Sequence, residues 1–345
     1  MIAAGPAAAD NYMLQVEVQG RRVEGRPLFF SSQVVQLLLR DGQLFEFAPN
    51  QAKNFQRSAP TFRSYSAGEM RQQLAGELGR SFEVSGTGHY LVAHPVRQKD
   101  LWAQRFEELY RDFIHYWSVR GLRLHEPEFP LVAVVWPDQA SFARAAIQKG
   151  IRVGSGTLGY YSPTTNRVSL FDTAVGQGDR ADWQQNAATI IHEVTHQTAF
   201  NTGVHTRFAE TPRWAAEGLG MLFEAAGVHS SRAHPRQRDR VNPSRLAAYR
   251  RYESEIAADS LLEMIVSDRV FDRQFDRAYA QAWALTFYLV ETQPRRYTQY
   301  LAKTAGHEPG QPVSTAQRLA DFTSVFGDNF RMLEARFERF MAKVK

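Results

Sequence analysis

The chain has 345 residues, of which 43% are hydrophobic and 22% are charged, and its formal net charge is +5. This composition suits two or three globular units with a sizeable core and excludes a disordered or fibrous chain. The sequence has no cysteine, which excludes disulfides, thiolate metal ligands and a cysteine nucleophile, so any metal must be held by His, Asp or Glu.

The mild positive charge is carried mostly by arginine. It favours a solvated basic face over a surface for cell-wall polymers or membranes, and no segment resembles a nucleic-acid-binding module. The longest apolar run, around residues 131–136, is far too short to be a transmembrane segment.

Residues 1–10 are rich in small side chains, like the tail of a secretory signal. We therefore expect a trimmed export signal on a periplasmic or secreted bacterial protein, with a disordered cytosolic N-terminus as the alternative.

Residues 1–94 are predicted to form a small N-terminal α+β module with a flexible start. Residues 14–18 alternate with period two, as a strand does, and Asp41-Gly42 between two apolar runs predicts a hairpin. Ser66 and Glu69 form a capping-box pattern that begins a short helix. The module contains no catalytic constellation. Further strands are predicted at residues 82–84 and 90–93.

The next segment opens with an amphipathic helix over residues 102–117, whose aromatic stripe recurs at steps of three and four residues. Gly121 is expected to end that helix. A buried strand over 131–136 and a helix introduced by Asp138 follow. Two more strands are predicted at residues 157–161 and 167–171, on either side of a turn.

The helix predicted over residues 182–201 carries the sequence HEVTH at residues 192–196, the pattern H-E-x-x-H. Residues four apart lie on one helix face, so the imidazoles of His192 and His196 can bind the same ion, and this spacing suits zinc. Glu193 lies about 100° further round the helix, where its carboxylate can reach a water on the metal as a general base. The alternative is a surface helix whose His and Glu side chains are merely solvated.

A second helix is predicted after Thr211, the expected N-cap, and Pro212, the expected first helical residue. Glu217 falls on its second turn, between small residues that allow another helix to approach closely. Twenty residues separate His196 from Glu217, enough for a helix end, a loop and the return. Glu217 would complete a His₂Glu set with His192 and His196 and leave one position open for water. We therefore expect a site for one Zn²⁺ ion.

The segment 227–251 is basic, but its irregular spacing favours a solvated loop over a second metal or anion site. The remainder is predicted to be helical near residues 260–266, 278–291, 295–305 and 329–343.

The pattern H-E-x-x-H followed by Glu217-Gly218 on the next helix resembles the gluzincin zinc peptidases, the group to which thermolysin belongs. The metzincin pattern fails because it requires Gly and His where this chain has Ala199 and Thr202. More closely, the chain resembles a bacterial family of gluzincin-like domains catalogued mainly as a domain of unknown function. The matching positions lie roughly between residues 90 and 305, at 159–161, 166–168, 192–197, 200–203, 207–209, 214, 217–218, 241–242, 245–246 and 279–284.

The resemblance implies an α+β fold with a gluzincin-type catalytic domain over residues 95–345. Its upper lobe, residues 95–180, would contain a mixed sheet, and its lower lobe, residues 181–345, would be mainly helical. In gluzincins the upper lobe ends with an edge strand that binds extended peptides by strand addition. The resemblance places that strand at residues 168–171.

Gluzincins often use a Tyr or His of the helical lobe to steady the oxyanion of the tetrahedral intermediate. Tyr279 matches the family's Tyr position and is the expected donor, the alternative being a packed aromatic with a bonded hydroxyl. His205 and Arg207, between the two ligand helices, are weaker candidates. The side chains that orient the ligand imidazoles are expected among Asn201, Glu224 and Asp172.

The leading hypothesis is a zinc metallopeptidase or related amidohydrolase acting on a peptide or protein substrate, with the cell envelope as one source of that substrate. Glu193 would take a proton from the attacking water and pass it to the leaving amine. The alternative is a slow, zinc-bearing pseudo-peptidase that binds a peptide or cell-wall partner, although binding alone does not need a base at Glu193. A purely structural zinc site is disfavoured, because such sites usually have four protein ligands.

Overall fold

The chain folds into two compact units, of which the first contains both β-sheets and the second is almost entirely helical. The first unit comprises residues 1–104, 127–175 and 308–311, and the second comprises 105–126, 176–307 and 312–345. The residues described by the computed structural model are 11–96, 102–172, 182–255 and 260–345. Residues 1–10, with the expected export signal, and the predicted boundary at residues 180 and 181 lie outside this described part.

In the described first half of the chain, ten strands are interrupted by three α-helices, and the described elements after β10 are helical. The strands are β1 (Met13–Val18), β2 (Arg21–Phe30), β3 (Val35–Leu39), β4 (Leu44–Phe47), β5 (Ala52–Ala59), β6 (Phe82–Gly86), β7 (Tyr90–Pro95), β8 (Leu131–Trp136), β9 (Gly159–Ser162) and β10 (Arg167–Phe171). The helices are α1 (Ala67–Leu78), α2 (Trp102–Ser118), α3 (Gln139–Gln148), α4 (Asp182–Asn201), α5 (Arg213–Phe223), α6 (Ala226–His229), α7 (Pro243–Tyr252), α8 (Ser260–Val266), α9 (Arg269–Arg273), α10 (Phe275–Thr292), α11 (Pro294–Ala305), α12 (Thr315–Phe326) and α13 (Phe330–Met341).

The first sheet is five-stranded and antiparallel, in the order β4-β3-β2-β1-β5. The alternation in β1 places Leu14, Val16 and Val18 in one buried cluster with side chains of β2, β3 and β4. The predicted hairpin at Asp41-Gly42 is confirmed, and Gly42 adopts the left-handed φ of 83° that the turn requires.

The second sheet is mixed and five-stranded, in the order β6-β7-β8-β10-β9. Strands β7, β8 and β10 run parallel, and α1 packs on this sheet through Met70 and Leu74. The capping box predicted for α1 is present: the Ser66 hydroxyl accepts from the Glu69 backbone, and the Glu69 carboxylate accepts from the Ser66 backbone. Because β7 pairs with β8, the sheet runs across the predicted boundary after residue 94.

The prediction that residues 168–171 form an edge strand is wrong. They belong to β10, which pairs with β8 on one side and with β9 on the other. The turn before β10 reverses the chain at Asn166, whose φ is 57° and whose side chain accepts from the Tyr161 hydroxyl at 2.9 Å. This reversal folds β9 back onto β10, so β9 is the edge strand.

The core of the second unit surrounds α10, whose side chains are buried from Ala278 to Val290 with Tyr279 half-buried. A helix that is apolar all round must be covered on every side, and α10 contacts α5, α7, α9, α11 and α13. The aromatic stripe predicted on α2 joins this core through Phe113 and Trp117. No described helix combines the length and the apolar character needed to cross a bilayer.

Helix α5 begins later than predicted. Pro212 is its N-cap rather than its first residue, and the Thr211 hydroxyl donates to the Thr206 carbonyl oxygen at 3.4 Å instead of capping the helix. The Arg213 backbone N–H donates to Asp268 Oδ1 at 3.1 Å. A carboxylate from a distant segment therefore caps this helix, which local sequence cannot reveal.

The contact between α5 and α10 depends on a glycine. A Cβ at Gly218 would collide with Thr286 Oγ1 and lie 2.7 Å from the Ala282 carbonyl oxygen. We predict that Gly218→Ala lowers the free energy of unfolding by about 1–3 kcal/mol, because the helices must move apart. Urea denaturation followed by circular dichroism measures this change.

The matched control is Gly76→Ala in α1, where an added Cβ meets nothing within 4 Å. That variant should be stabilised by about 0.5–1 kcal/mol through helix propensity alone. An equal change in the free energy of unfolding of the two variants would contradict the close packing of α5 on α10.

Candidate metal centre

Helices α4 and α5 bring together the side chains of His192, His196 and Glu217. The two histidine Nε2 atoms lie 3.0 Å apart. Glu217 Oε2 lies 3.3 Å from His192 Nε2 and 3.7 Å from His196 Nε2. The histidines are 9% and 8% exposed, so the three donor atoms form a small triangle that is almost withdrawn from solvent.

The triangle has the size of a zinc site. Tetrahedral zinc with bonds of about 2.0–2.1 Å separates its ligand atoms by about 3.3–3.4 Å, and the three observed separations lie around this value. Two imidazole nitrogens and one carboxylate oxygen are also donors that zinc prefers. The described residues add no fourth His, Asp or Glu to the group. These residues therefore fit a zinc ion that keeps one open position.

Small residues on α5 allow this convergence, as the sequence predicts. A Cβ at Gly220 would lie 2.7–2.9 Å from three atoms of the His192 ring. Such a contact is shorter than van der Waals packing permits, so any larger side chain would displace the imidazole. Glycine at this position lets α5 pass directly over the ring.

Glu224 orients the His192 ring. Its Oε1 accepts a hydrogen bond from His192 Nδ1 at 3.0 Å, so Nδ1 keeps its proton and a metal at the triangle would replace only the proton on Nε2. Arg245 donates to both Glu224 oxygens at 2.9 and 2.7 Å, and Asn242 donates to Oε2 at 2.8 Å. This network fixes the carboxylate, and through it the ring.

The charges around the triangle favour a cation. Burial lowers the pKa of His192, but hydrogen bonds to Glu217 and Glu224 and the charge of Glu193 outweigh it and raise the pKa to about 10. Burial opposes ionisation of Glu217, but its interactions with His192 and His196 hold its pKa well below the usual range. Glu217 and Glu224, whose pKa values are both lowered, thus stay ionised and stabilise positive charge at this point.

Glu193 and Tyr279 lie beside the triangle. Glu193 follows His192 on α4, is half-buried, and places its negative charge close to that histidine. The Tyr279 hydroxyl, near the start of α10, interacts with Glu217 and Arg213. Burial and the Glu217 charge raise the pKa of Tyr279 above its usual value, although Arg213 opposes this shift. The phenol therefore keeps its proton at neutral pH and can donate.

The other predicted candidates lie further along the same segment. His205 is buried against Phe200, with ring centroids 5.1 Å apart, and among the described residues neither of its ring nitrogens has a hydrogen-bond partner. Burial and the charge of His196 lower the pKa of His205 to about 3, so its ring is neutral. Arg207 is also buried. Neither position shows a described contact that assigns it an oxyanion role.

Of the three residues expected to orient the imidazoles, Glu224 contacts a histidine of the triangle. Asn201 donates to the Gln197 carbonyl oxygen on its own helix at 2.8 Å. Asp172 belongs to the first unit, where its backbone N–H donates to the Trp136 carbonyl oxygen.

Three residues of the site, Arg245, Asn242 and Arg213, are not among those predicted from the sequence. One local signal was available, because Asn242 before Pro243 is a strong pattern for a helix start, and it does begin α7. Arg245 lies one turn into that helix. Arg213 stands four residues before Glu217, which places both on one face of α5.

Residues 186–311 match a family described as "Protein of unknown function (DUF1570)", a segment that contains the whole triangle and Tyr279. No curated protein sequence matches the chain.

Solved structures of M1 zinc metallopeptidases are similar to the chain, with TM-scores below 0.4. A mutant of an M1 zinc metallopeptidase from Deinococcus radiodurans, bound to a Tyr-Ser-Ala substrate, has a TM-score of 0.39 and 13% identity, covering 77% of this chain and 52% of that one. Another structure of a mutant of that enzyme has a TM-score of 0.39 and 12% identity over 76% and 51%. A two-domain M1 mutant bound to L-arginine has a TM-score of 0.35 and 12% identity over 75% and 51%. The chain thus spans about half the length of each.

The contribution of the His192–Glu224 hydrogen bond to zinc binding can be tested by mutation. We predict that Glu224→Gln weakens zinc binding by about 10- to 100-fold, because the ring loses the charged acceptor that fixes its orientation. Competition with a fluorescent chelator of known affinity measures the change.

Glu291→Gln is the matched control, since Glu291 makes a similar bidentate pair with Arg240 at 2.8 Å and its side chain is equally buried. Its zinc affinity should equal that of the wild type. Equal zinc affinity in both variants would show that Glu224 does not orient a ligand.

Proposed function

We propose that this protein is a zinc-dependent metallopeptidase that hydrolyses peptide bonds. The observation that carries the proposal is the convergence of His192, His196 and Glu217 around one point, with Glu193 beside them. Structural zinc sites are usually closed by four protein ligands, whereas catalytic sites have three and an open position. Three donors with an adjacent carboxylate therefore favour catalysis.

His192, His196 and Glu217 would hold the single Zn²⁺ ion. When bound, zinc polarises a carbonyl group and lowers the pKa of a coordinated water. The two imidazoles and the carboxylate orient the ion, and the Glu224 network keeps the His192 ring in place.

Glu193 is the proposed general base. Its carboxylate takes a proton from the water whose oxygen forms the new bond to the scissile carbonyl carbon. The carbon–nitrogen bond then breaks, and Glu193 gives the proton to the leaving amine nitrogen. The products are a carboxylic acid and an amine, so one water is consumed and the base is regenerated.

Tyr279 is the proposed oxyanion donor. Its phenol remains protonated and lies beside Glu217, so its O–H can point at a carbonyl oxygen that gains negative charge during water attack. A donor already held in place strengthens its hydrogen bond as that charge develops. Tyr279 would therefore act mainly on the transition state.

The proposed substrate is a peptide or protein, with the cell envelope as its proposed source. The proposed location is periplasmic or extracellular, and it rests only on the small-residue composition of residues 1–10.

The role of Glu193 is tested by Glu193→Gln. This variant should bind as much zinc as the wild type and lose about 10²- to 10⁴-fold in kcat/KM, because the amide cannot accept the proton. Metal analysis and turnover of a diverse peptide library measure both quantities. Chelation should abolish wild-type turnover, and added zinc should restore it.

Two outcomes would reject the peptidase. Equal zinc in both proteins with no turnover by either would identify a zinc-bearing binding protein. Absence of zinc from both would remove the metal centre itself.

The role of Tyr279 is tested by Tyr279→Phe. We expect kcat to fall by about 10²- to 10³-fold with a much smaller change in KM, because the lost hydrogen bond forms with the developing oxyanion. Steady-state kinetics on a cleaved peptide measures this. Tyr252→Phe removes the hydroxyl of a half-buried tyrosine on α7 and should leave kcat intact. Full kcat in Tyr279→Phe would assign that residue to packing.

A further inference from the structure

Arg213 lies on the same helix as Glu217, one of the three residues of the triangle. It is the first residue of α5 and lies one helical turn before Glu217, so the two side chains leave the same face of the helix, with Cβ atoms about 5–6 Å apart. The Tyr279 hydroxyl interacts with both of them. A fixed cation therefore lies next to the proposed scissile-bond position.

The backbone of Arg213 is held firmly. Its N–H donates to Asp268 Oδ1, and Asp268 is itself held by the buried Arg318 through hydrogen bonds of 2.7 and 2.9 Å. The start of α5 cannot shift without breaking this pair, so the guanidinium projects from a rigid base.

Aromatic rings hold the guanidinium itself. Its central carbon lies 5.0 Å from the Phe271 ring centroid and 5.9 Å from that of Tyr279. Such contacts orient an arginine without using its N–H groups. The plane of the guanidinium is thus set by contacts that do not occupy its N–H donors.

The hydrogen-bonding capacity of Arg213 exceeds what its surroundings use. A guanidinium has five N–H donors, and the described residues offer its side chain only the Tyr279 hydroxyl and Asp272. The Asp272 contact is long, at 3.4 Å, and that side chain is 77% exposed, so water screens the pair. The Arg213 side chain is 34% exposed, so a ligand can reach it.

We propose that Arg213 binds a carboxylate of the substrate close to the scissile bond, so that the site prefers peptides with an acidic group there. An arginine held in plane forms bidentate pairs with carboxylates. The carboxylate can be the free C-terminus of the peptide or the side chain of Asp or Glu. This inference rests on the proposed peptidase function but concerns binding, which is measured separately from turnover.

The test uses zinc-loaded Glu193→Gln, which is expected to bind peptides without cleaving them. The probes are random hexapeptides with a free or an amidated C-terminus, each made with Glu or with Gln at its acidic positions. Binding by mass-spectrometric selection and calorimetry should favour the carboxylate form by about 10- to 100-fold, as expected for hydrogen bonds to a charged group. Loss of preference on amidation identifies the C-terminus as the source, and loss on Glu replacement identifies the side chain.

The same measurement in Glu193→Gln combined with Arg213→Gln should bring the ratio of carboxylate to amide affinity close to one. Arg213→Lys keeps the charge without the planar fork and should give an intermediate ratio. Arg120→Gln is the control: Arg120 lies 3.5 Å from the Tyr116 ring centroid in the same unit, and its loss should leave the ratio unchanged.

Equal binding of acids and amides, no binding of either, or a preference that survives Arg213→Gln would each overturn this inference. An Arg213-dependent preference without turnover by the wild type would instead uphold it and reject the peptidase.

Discussion

The close approach of α5 to α4 is the constraint on which the candidate site depends. Glu217 Oε2 lies 3.3 Å from His192 Nε2 only because Gly220 leaves room for the His192 ring and Gly218 lets α5 settle against α10. Interiors pack densely, so a methyl group at Gly218 would push α5 away from α10, and one at Gly220 would displace the His192 ring. The spacing of the three donor atoms is therefore set by how closely these helices pack.

Burying so many charges requires that each be paired. A buried carboxylate or guanidinium without a partner would be strongly destabilising. Here Glu224 lies between His192 and Arg245, and Glu217 lies between both histidines and Tyr279. The result is a continuous network from α7 through α5 to α4, which holds the donor atoms in a fixed arrangement. An ion entering such a site meets ligands that need little reorganisation.

Much of the site could be predicted from the sequence, because the pattern that identifies it lies within a short stretch of one helix. Residues 192–196 lie on one helix, and their i,i+4 spacing alone predicts that His192 and His196 point the same way, as they do. The partner residue Glu217 was predictable from the small residues around it. Local patterns also predicted the hairpin at Asp41-Gly42 and the capped helix after Ser66, both of which are confirmed.

What sequence could not predict depends on contacts between distant segments. The place of residues 168–171 inside the sheet follows from β9 folding back onto β10, and strand order has no signature in a single strand. Asp268 caps α5 from 55 residues away, and Arg245 reaches Glu224 from another helix. The orientation of the Arg213 guanidinium likewise depends on the rings of Phe271 and Tyr279, which contact it from other helices.

The central claim is that His192, His196 and Glu217 together hold one zinc ion. X-ray absorption spectroscopy at the zinc edge of the purified protein tests it most directly. The account predicts one zinc per chain, with two imidazole nitrogens and one carboxylate oxygen at about 2.0–2.2 Å. A chain that takes up no zinc, or a spectrum without two imidazole ligands, would contradict it.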